Sequence, residues 1–179
     1  MPTSKPAKPE EMTHLNARRI VPKDHPRIRF RGQLDLLQAH IVVAQLELER
    51  EPGREGLIAD LEGILALLRR VMRSEVLDEP LADENILGLT PEELRAQSHD
   101  PKNYFGVDPM TPPDRSLGRA YAHVNLLRTQ ARVAEETAVT AFKAGPSQAQ
   151  RQILRIMNRL SSAFHILMCR LQAEQEHAR

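Results

Sequence analysis

The stretch "GLIADLEGILALLRRVM" at 56–72 repeats its apolar residues at i, i+3, i+4 and i+7, the period of a helix with one buried face. That spacing recurs in four long segments, the first three closed by proline or glycine, and it constrains the chain more than any single residue does. Ile28, Leu34, Leu37, Ile41 and Leu48 hold a first face to about Arg50, where "EPG" at 51–53 ends it. Asp24 is the expected cap of this helix and Pro26 suits its first turn. A second helix runs from about Arg54 to Val76, and the short connection makes the two antiparallel. Thr90-Pro91-Glu92-Glu93 reads as a capping box that starts a short helix. Two more long helices cover about 114–144, stopped by "GPS", and about 147–177, with Ser147 as N-cap. The expected fold is therefore all-α, a bundle of four long helices plus a short one. Aromatics at 3% and the absence of Trp agree with helices rather than sheets.

With 179 residues the chain reads as one domain. Residues 1–12, rich in Pro, Lys and Glu, are expected to be a disordered tail. Residues 13–25, "THLNARRIVPKDH", are basic and non-periodic and read as an extended arm, and 26–179 form the bundle domain. The proline-rich "DPKNYFGVDPMTPPD" at 100–114 reads as a loop. The most apolar run, "LDLLQAHIVVAQLEL", is too short and too polar to cross a bilayer, and no signal-peptide core follows the N-terminus. The expectation is a cytoplasmic protein without a membrane partner. Twenty-five basic against 24 acidic residues leave a weak overall field, which argues against nucleic acid as partner. The single cysteine, Cys169 in "FHILMCRL", excludes an intramolecular disulfide and a cysteine-based metal cluster within one chain.

The eight glycines are scattered and form neither a phosphate loop nor a dinucleotide fingerprint, so side chains must supply any anion site. The seven histidines are dispersed, with no HExxH and no repeated Glu-x-x-His, which argues against zinc hydrolase and di-iron chemistry. His40, His123 and His165 read as packed side chains. "LLRTQARVAEE" at 126–136 sets Arg128, Arg132 and Glu135 on one helical stripe. Two readings stay open: a solvated charged face, or an arginine pair waiting for an anion. Pattern alone favours the first; against it, Leu126, Leu127, Ala131 and Val133 wrap much of the circumference, and arginines in such surroundings are costly to keep without an anionic partner.

The stripe has company. "RRIVPKDHPRIRFRGQLDLL" carries Lys23, Asp24, Arg27, Gly32 and Asp35, "MNRLSS" carries Asn158, Arg159 and Ser161, and a third block is "VMRSEVLDEPLADENILGLTPEELRAQSH" at 71–99. Jointly these blocks resemble the corrinoid (cobalamin) adenosyltransferases, most closely the ethanolamine-utilisation type and next its propanediol-utilisation relatives, over about residues 13 to 170. The resemblance implies transfer of the 5′-deoxyadenosyl group from ATP to reduced cobalamin, with Mg²⁺. It assigns Thr13, Lys23, Arg27, Arg128, Arg132, Glu135 and Asn158 to ATP, with Arg128 and Arg132 stabilising the leaving triphosphate. For Glu135 the alternatives are orienting an arginine, contacting ribose or metal, or simply pairing with Arg132 in solvent.

The same resemblance implies a homotrimer in which Asp35 and Arg128 pair across a subunit interface. It further implies an adenosylcobalamin-dependent enzyme and a flavoprotein reductase as partners, in the cytoplasm or inside a bacterial microcompartment. Tyr104, Phe105, Val107 and Met110 concentrate large apolar groups in an aromatic-poor chain; they are either a corrinoid lid or a satellite cluster over the bundle end. Two departures stand out. The family's glycine-rich Thr-Gly-Asp-x-Gly segment is not visible in "MTHLNARR", and the N-terminal histidine and clustered cysteines of ethanolamine-type members are not matched, so no structural iron or zinc is expected. The rival readings are a corrinoid carrier or microcompartment scaffold without catalysis, and a generic helical adaptor.

Overall fold

The computed structural model describes residues 8–82, 85–108 and 112–177. Residues 1–7 of the expected tail and Met110 of the expected lid lie outside the described residues. The basic arm is extended, as its lack of periodicity suggested, but its two halves pair. Strand β1 (Met12–Asn16) and strand β2 (Arg19–Pro22) form an antiparallel hairpin with Thr13 opposite Val21. Asn16 closes the turn by accepting a hydrogen bond on its side-chain oxygen from the Arg18 N–H at 3.0 Å. Only Leu15 and Val21 face inward, too few apolar positions to register as a strand pattern.

Helix α1 (Pro26–Leu48) is capped by His25 rather than Asp24: the imidazole Nδ1 accepts from the Arg27 N–H at 3.2 Å. Pro26 occupies the first turn as expected, where its missing N–H costs nothing. Helix α2 (Glu55–Leu77) ends at Asp78 in the left-handed conformation, with φ 55°. Helix α3 (Pro91–His99) starts with the anticipated capping box: Thr90 Oγ1 accepts from Glu93 N–H at 3.2 Å, and the Glu93 carboxylate accepts from Thr90 N–H at 2.8 Å. A further short helix, α4 (Pro101–Phe105), interrupts the segment expected to be a loop, because Asp100 caps it and Gly106 at φ 76° releases it. After a 3₁₀ turn at Arg115–Leu117 come α5 (Gly118–Phe142) and α6 (Gln148–His177). Ser147 caps α6 reciprocally with Gln150, through bonds of 3.2 and 3.1 Å.

Cross-helix bonds fix the directions. Arg27 meets Glu75 and Gln45 meets Ile58, so α1 and α2 are antiparallel. Glu135 meets Asn158 and Leu117 meets Gln175, so α5 and α6 are antiparallel. Arg54 reaches Glu174 and Asp60 reaches Arg170 across α2 and α6, while Arg119 at the start of α5 lies beside Glu47 near the end of α1. The four long helices thus close a ring, α1–α2–α6–α5, with α2 and α5 diagonal and parallel. The segment between them must travel back along the bundle, carrying α3 and α4, both of which pack on α6.

The ring encloses one apolar core. Phe30 and Phe142 stack edge-to-face with centroids 5.5 Å apart, and Phe164, Leu34, Leu68, Leu127 and Leu160 are fully buried around them. Ala131, Ala134 and Ala138 give α5 a small-residue face where α1 and α6 close on it. Each fully buried Leu or Phe contributes about 1.5–3 kcal/mol relative to exposure.

Candidate active site

The stripe on α5 sits where the helix turns away from that alanine face. Arg128, Thr129, Arg132, Val133, Glu135, Glu136 and Val139 line one open groove of about 630 Å³. Its walls come entirely from α5, and Glu135 is anchored from the side: the Asn158 amide on α6 donates to its Oε1 at 2.7 Å. Glu135 and Asn158, 23 residues apart, are thereby brought together.

The two arginines differ. Arg128 folds back one turn and donates from Nε and Nη2 to Asn125 Oδ1 at 3.2 and 3.0 Å. Arg132 is exposed and makes no ion pair or side-chain hydrogen bond among the described residues. A guanidinium with its whole donor fork available is suited to a carboxylate or phosphate.

Arg128 also borders a second, smaller cavity of about 180 Å³, with Asp108, Pro113, Tyr121, His165, Met168, Cys169 and Gln172. Burial, reinforced by the Arg128 charge, lowers the pKa of His165, so the ring is neutral at pH 7. Burial pushes the Cys169 thiol up to about 11, which leaves it unreactive, 3.7 Å from His165 Nε2. Burial also raises the Tyr121 phenol, with Cys169 adding to the shift and Arg128 opposing it.

The hairpin and the start of α1 lie toward the other end of the groove. Pro26 and Arg29 share a cleft with Glu136, Thr137 and Thr140, one to two turns beyond Arg132. Lys23 is exposed three residues before Pro26, and Thr13 is half-buried in β1. Arg27 points elsewhere: its Nε donates to Glu75 Oε1 at 2.5 Å and its Nη2 to the Glu75 carbonyl at 2.5 Å. Arg31 Nε donates to the other carboxylate oxygen, and Arg31 Nη2 donates to the Leu15 carbonyl at 2.7 Å. Glu75 is 1% exposed.

Comparison with known proteins decides the family. A family model described as cobalamin adenosyltransferase matches residues 6–171. The corrinoid adenosyltransferases EutT of Salmonella typhimurium and Escherichia coli are each 40% identical to the chain over 162 residues, 90% of its length. This chain belongs to the cobalamin adenosyltransferase family. The match spans 58% of the length of those curated relatives. A solved variant of the PduO-type ATP:corrinoid adenosyltransferase from Lactobacillus reuteri, complexed with cobalamin and ATP, shares the fold. Its TM-score is 0.60 at 21% identity, over 89% of this chain and 86% of that one.

Among the residues singled out for this family, Arg128, Arg132, Glu135 and Asn158 form one cluster, and Lys23 and Thr13 lie at the hairpin. Asp35 is exposed on α1 and has no ion pair or side-chain hydrogen bond among the described residues. Tyr104 is 53% exposed, Phe105 is half-buried against the core with its ring 6.4 Å from that of Tyr104, and Val107 is buried. Val107 is thus a packing residue, and Tyr104 is the aromatic this segment presents outward.

Sequence reasoning missed Glu75 and Arg31. A signal was present: Leu68, Val71 and Glu75 continue one buried stripe at spacings of three and four, so a glutamate stands where the pattern calls for leucine. A charge on a core stripe announces a cationic partner elsewhere, here the i, i+4 pair Arg27 and Arg31.

Proposed function

We propose that this chain is the catalytic domain of an ATP:corrinoid adenosyltransferase, moving the 5′-deoxyadenosyl group of ATP to cob(I)alamin. The observation that supports it most is the convergence of Arg128, Arg132 and Glu135 on one groove, with Asn158 bonded to Glu135, in a chain of this family. In the reaction a cobalt–carbon bond forms at C5′ of the ribose, the C5′–O bond breaks, and its electron pair leaves on triphosphate. Co(I) is itself the nucleophile, so the protein needs no general base and no covalent residue. Its work is orientation and stabilisation of the charge on the leaving group. Arg132, with its free donor fork, meets the phosphates; Arg128 assists from the neighbouring turn; Lys23 approaches from the hairpin side. Asn158 and Glu135, held together, form a hydrogen-bonding edge for the nucleoside.

Among the described residues no three His, Cys, Asp or Glu side chains converge as a metal cage. The Mg²⁺ that the reading implies would therefore be held by the nucleotide's own phosphate oxygens, and no step is assigned to it. The outer faces support assembly into a homotrimer. Leu36, Val43 and Leu46 on α1 and Leu126, Val133 and Val139 on α5 are exposed apolar groups beside the groove, and a second copy laid on them would bury them and wall the groove. Asp35, exposed on the same helix, is the partner this arrangement offers to Arg128. Tyr104 and Phe105 are the side chains assigned to covering the corrinoid.

The test is anaerobic: purified protein, ATP, Mg²⁺ and chemically reduced cobalamin, with the visible spectrum followed for a light-sensitive cobalt–carbon product. Product formation by wild type and its loss in Arg132→Ala establishes the reading. Corrinoid binding without product would make the chain a carrier.

A further inference from the structure

Helix α3 does more than cover the bundle. Leu94 alone on it is buried, docking it on α6, and the capping box at Thr90 fixes its direction. One turn apart on the side facing α6 stand Arg95 and His99. Across from them α6 presents Arg159 and Ser162 together with Asn158, the residue whose amide holds Glu135 of the groove. These side chains enclose a cleft of about 520 Å³. The acid lining it is Glu92, at the first turn of α3.

The side chains of Arg95, His99 and Arg159 make no ion pair or hydrogen bond among the described residues. The two guanidinium groups gathered around this concavity repel each other unless an anion joins them. Elsewhere on this surface some arginines find carboxylates: Arg50 takes Glu47, Arg54 takes Glu174 and Arg170 takes Asp60. In the α3/α6 cleft two arginines without such a partner share one concavity. Two guanidinium forks, an imidazole, a hydroxyl and an amide match the oxygens of a phosphate chain, and the volume exceeds what a single phosphate requires.

We propose that the α3/α6 cleft is a second anion site that takes a polyphosphate, adjoining the groove on α5 through Asn158. It rests on the adenosyl-transfer reading only for the source of that anion, the triphosphate the reaction releases. A leaving triphosphate handed past Asn158 would vacate the groove for the next ATP while still held by the protein.

Calorimetric titration of the whole chain with inorganic triphosphate tests this. Wild type is expected to show two sites per chain. Arg95→Gln with Arg159→Gln should lose one of them, with at least a tenfold fall in its affinity, while ATP binding to the groove stays as in wild type and certifies the fold. Arg132→Ala should lose the other and keep the cleft. Identical titrations of wild type and the Arg95/Arg159 double variant would overturn the proposal, as would complete loss of triphosphate binding in Arg132→Ala. Inorganic phosphate is expected to bind the cleft at least tenfold more weakly; equal binding would overturn the polyphosphate assignment. A wild type that binds triphosphate only at the cleft, and ATP nowhere, supports the cleft and removes the adenosyl-transfer reading instead.

Discussion

Two arginine pairs at the same i, i+4 spacing meet opposite fates. Arg27 and Arg31 on α1 close on Glu75, whose side chain has no exposed surface, and their Nη2 groups donate to the carbonyls of Glu75 and Leu15. Arg128 and Arg132 on α5 face an open groove, one resting on a neutral amide and the other with no polar partner among the described residues. Spacing alone does not separate structure from function. What separates them is whether the fold itself supplies the anion. Where it does, the arginines tie three elements together, here α1, α2 and the hairpin; where it does not, the guanidinium groups stay open to an anion from outside.

The sharpest way to break the contrast is Glu75→Ala. It strands two guanidiniums and is expected to cost about 3–5 kcal/mol, lowering Tm by about 6–20 °C in calorimetry. A melting curve within a degree or two of wild type would mean the cluster is not what holds the hairpin. Arg132→Ala should do the reverse: stability unchanged to within about 0.5 kcal/mol, but kcat/KM for adenosyl transfer down by roughly 10²–10³, the scale of losing one preorganised charge donor. Equal effects of the two variants on melting would erase the distinction between the pairs.

A smaller loss, about 1 kcal/mol, is expected for Thr90→Ala, which removes the cap of α3 and should weaken triphosphate binding more than ATP binding. The gentlest probe is pH. Burial, then the charges of Arg19 and Arg27, lowers the pKa of His25, and burial with Arg128 lowers that of His165. Both rings are therefore worth most to the fold when neutral. Their contribution is complete above the ordinary histidine pKa and disappears as pH falls through the lowered folded values. His25→Asn, which keeps an N-cap acceptor that does not titrate in this range, should flatten the acid limb of a stability–pH curve; an unchanged limb would place the acid sensitivity elsewhere.

The four long helices were legible because apolar spacing and proline–glycine punctuation are local signals, and so were the caps at Thr90 and Ser147. The hairpin was not, since Leu15 and Val21 are its only inward residues and its pairing depends on Arg31 and Glu75, sixteen or more positions away. Asp24 was the more usual cap by residue type, yet His25 stands one position nearer the helix and its ring nitrogen reaches the same N–H. In the site, the stripe on α5 was visible as spacing, whereas its tie to α6 needed the antiparallel docking that brings Asn158 to Glu135. The α3/α6 cleft was invisible for the same reason: Arg95 and Arg159 belong to separate blocks that only the return of the chain along α6 makes neighbours.

That return has a kinetic side. Because α2 and α5 run parallel on the diagonal, the chain is two local helical hairpins, α1–α2 and α5–α6, joined by one long traverse. Each hairpin closes over a handful of residues, but the α1–α5 and α2–α6 seams join positions up to 120 apart in sequence, the separations that slow a search. Assembly should therefore be hierarchical, hairpins first and seams last. The groove on α5 and its link to α6 would then be nearly formed within one hairpin before the α1–α5 and α2–α6 seams have closed. Refolding Arg170→Ala, which removes the Asp60 pair of the α2–α6 seam, should leave the folding rate close to wild type and speed unfolding, the signature of a contact made after the transition state.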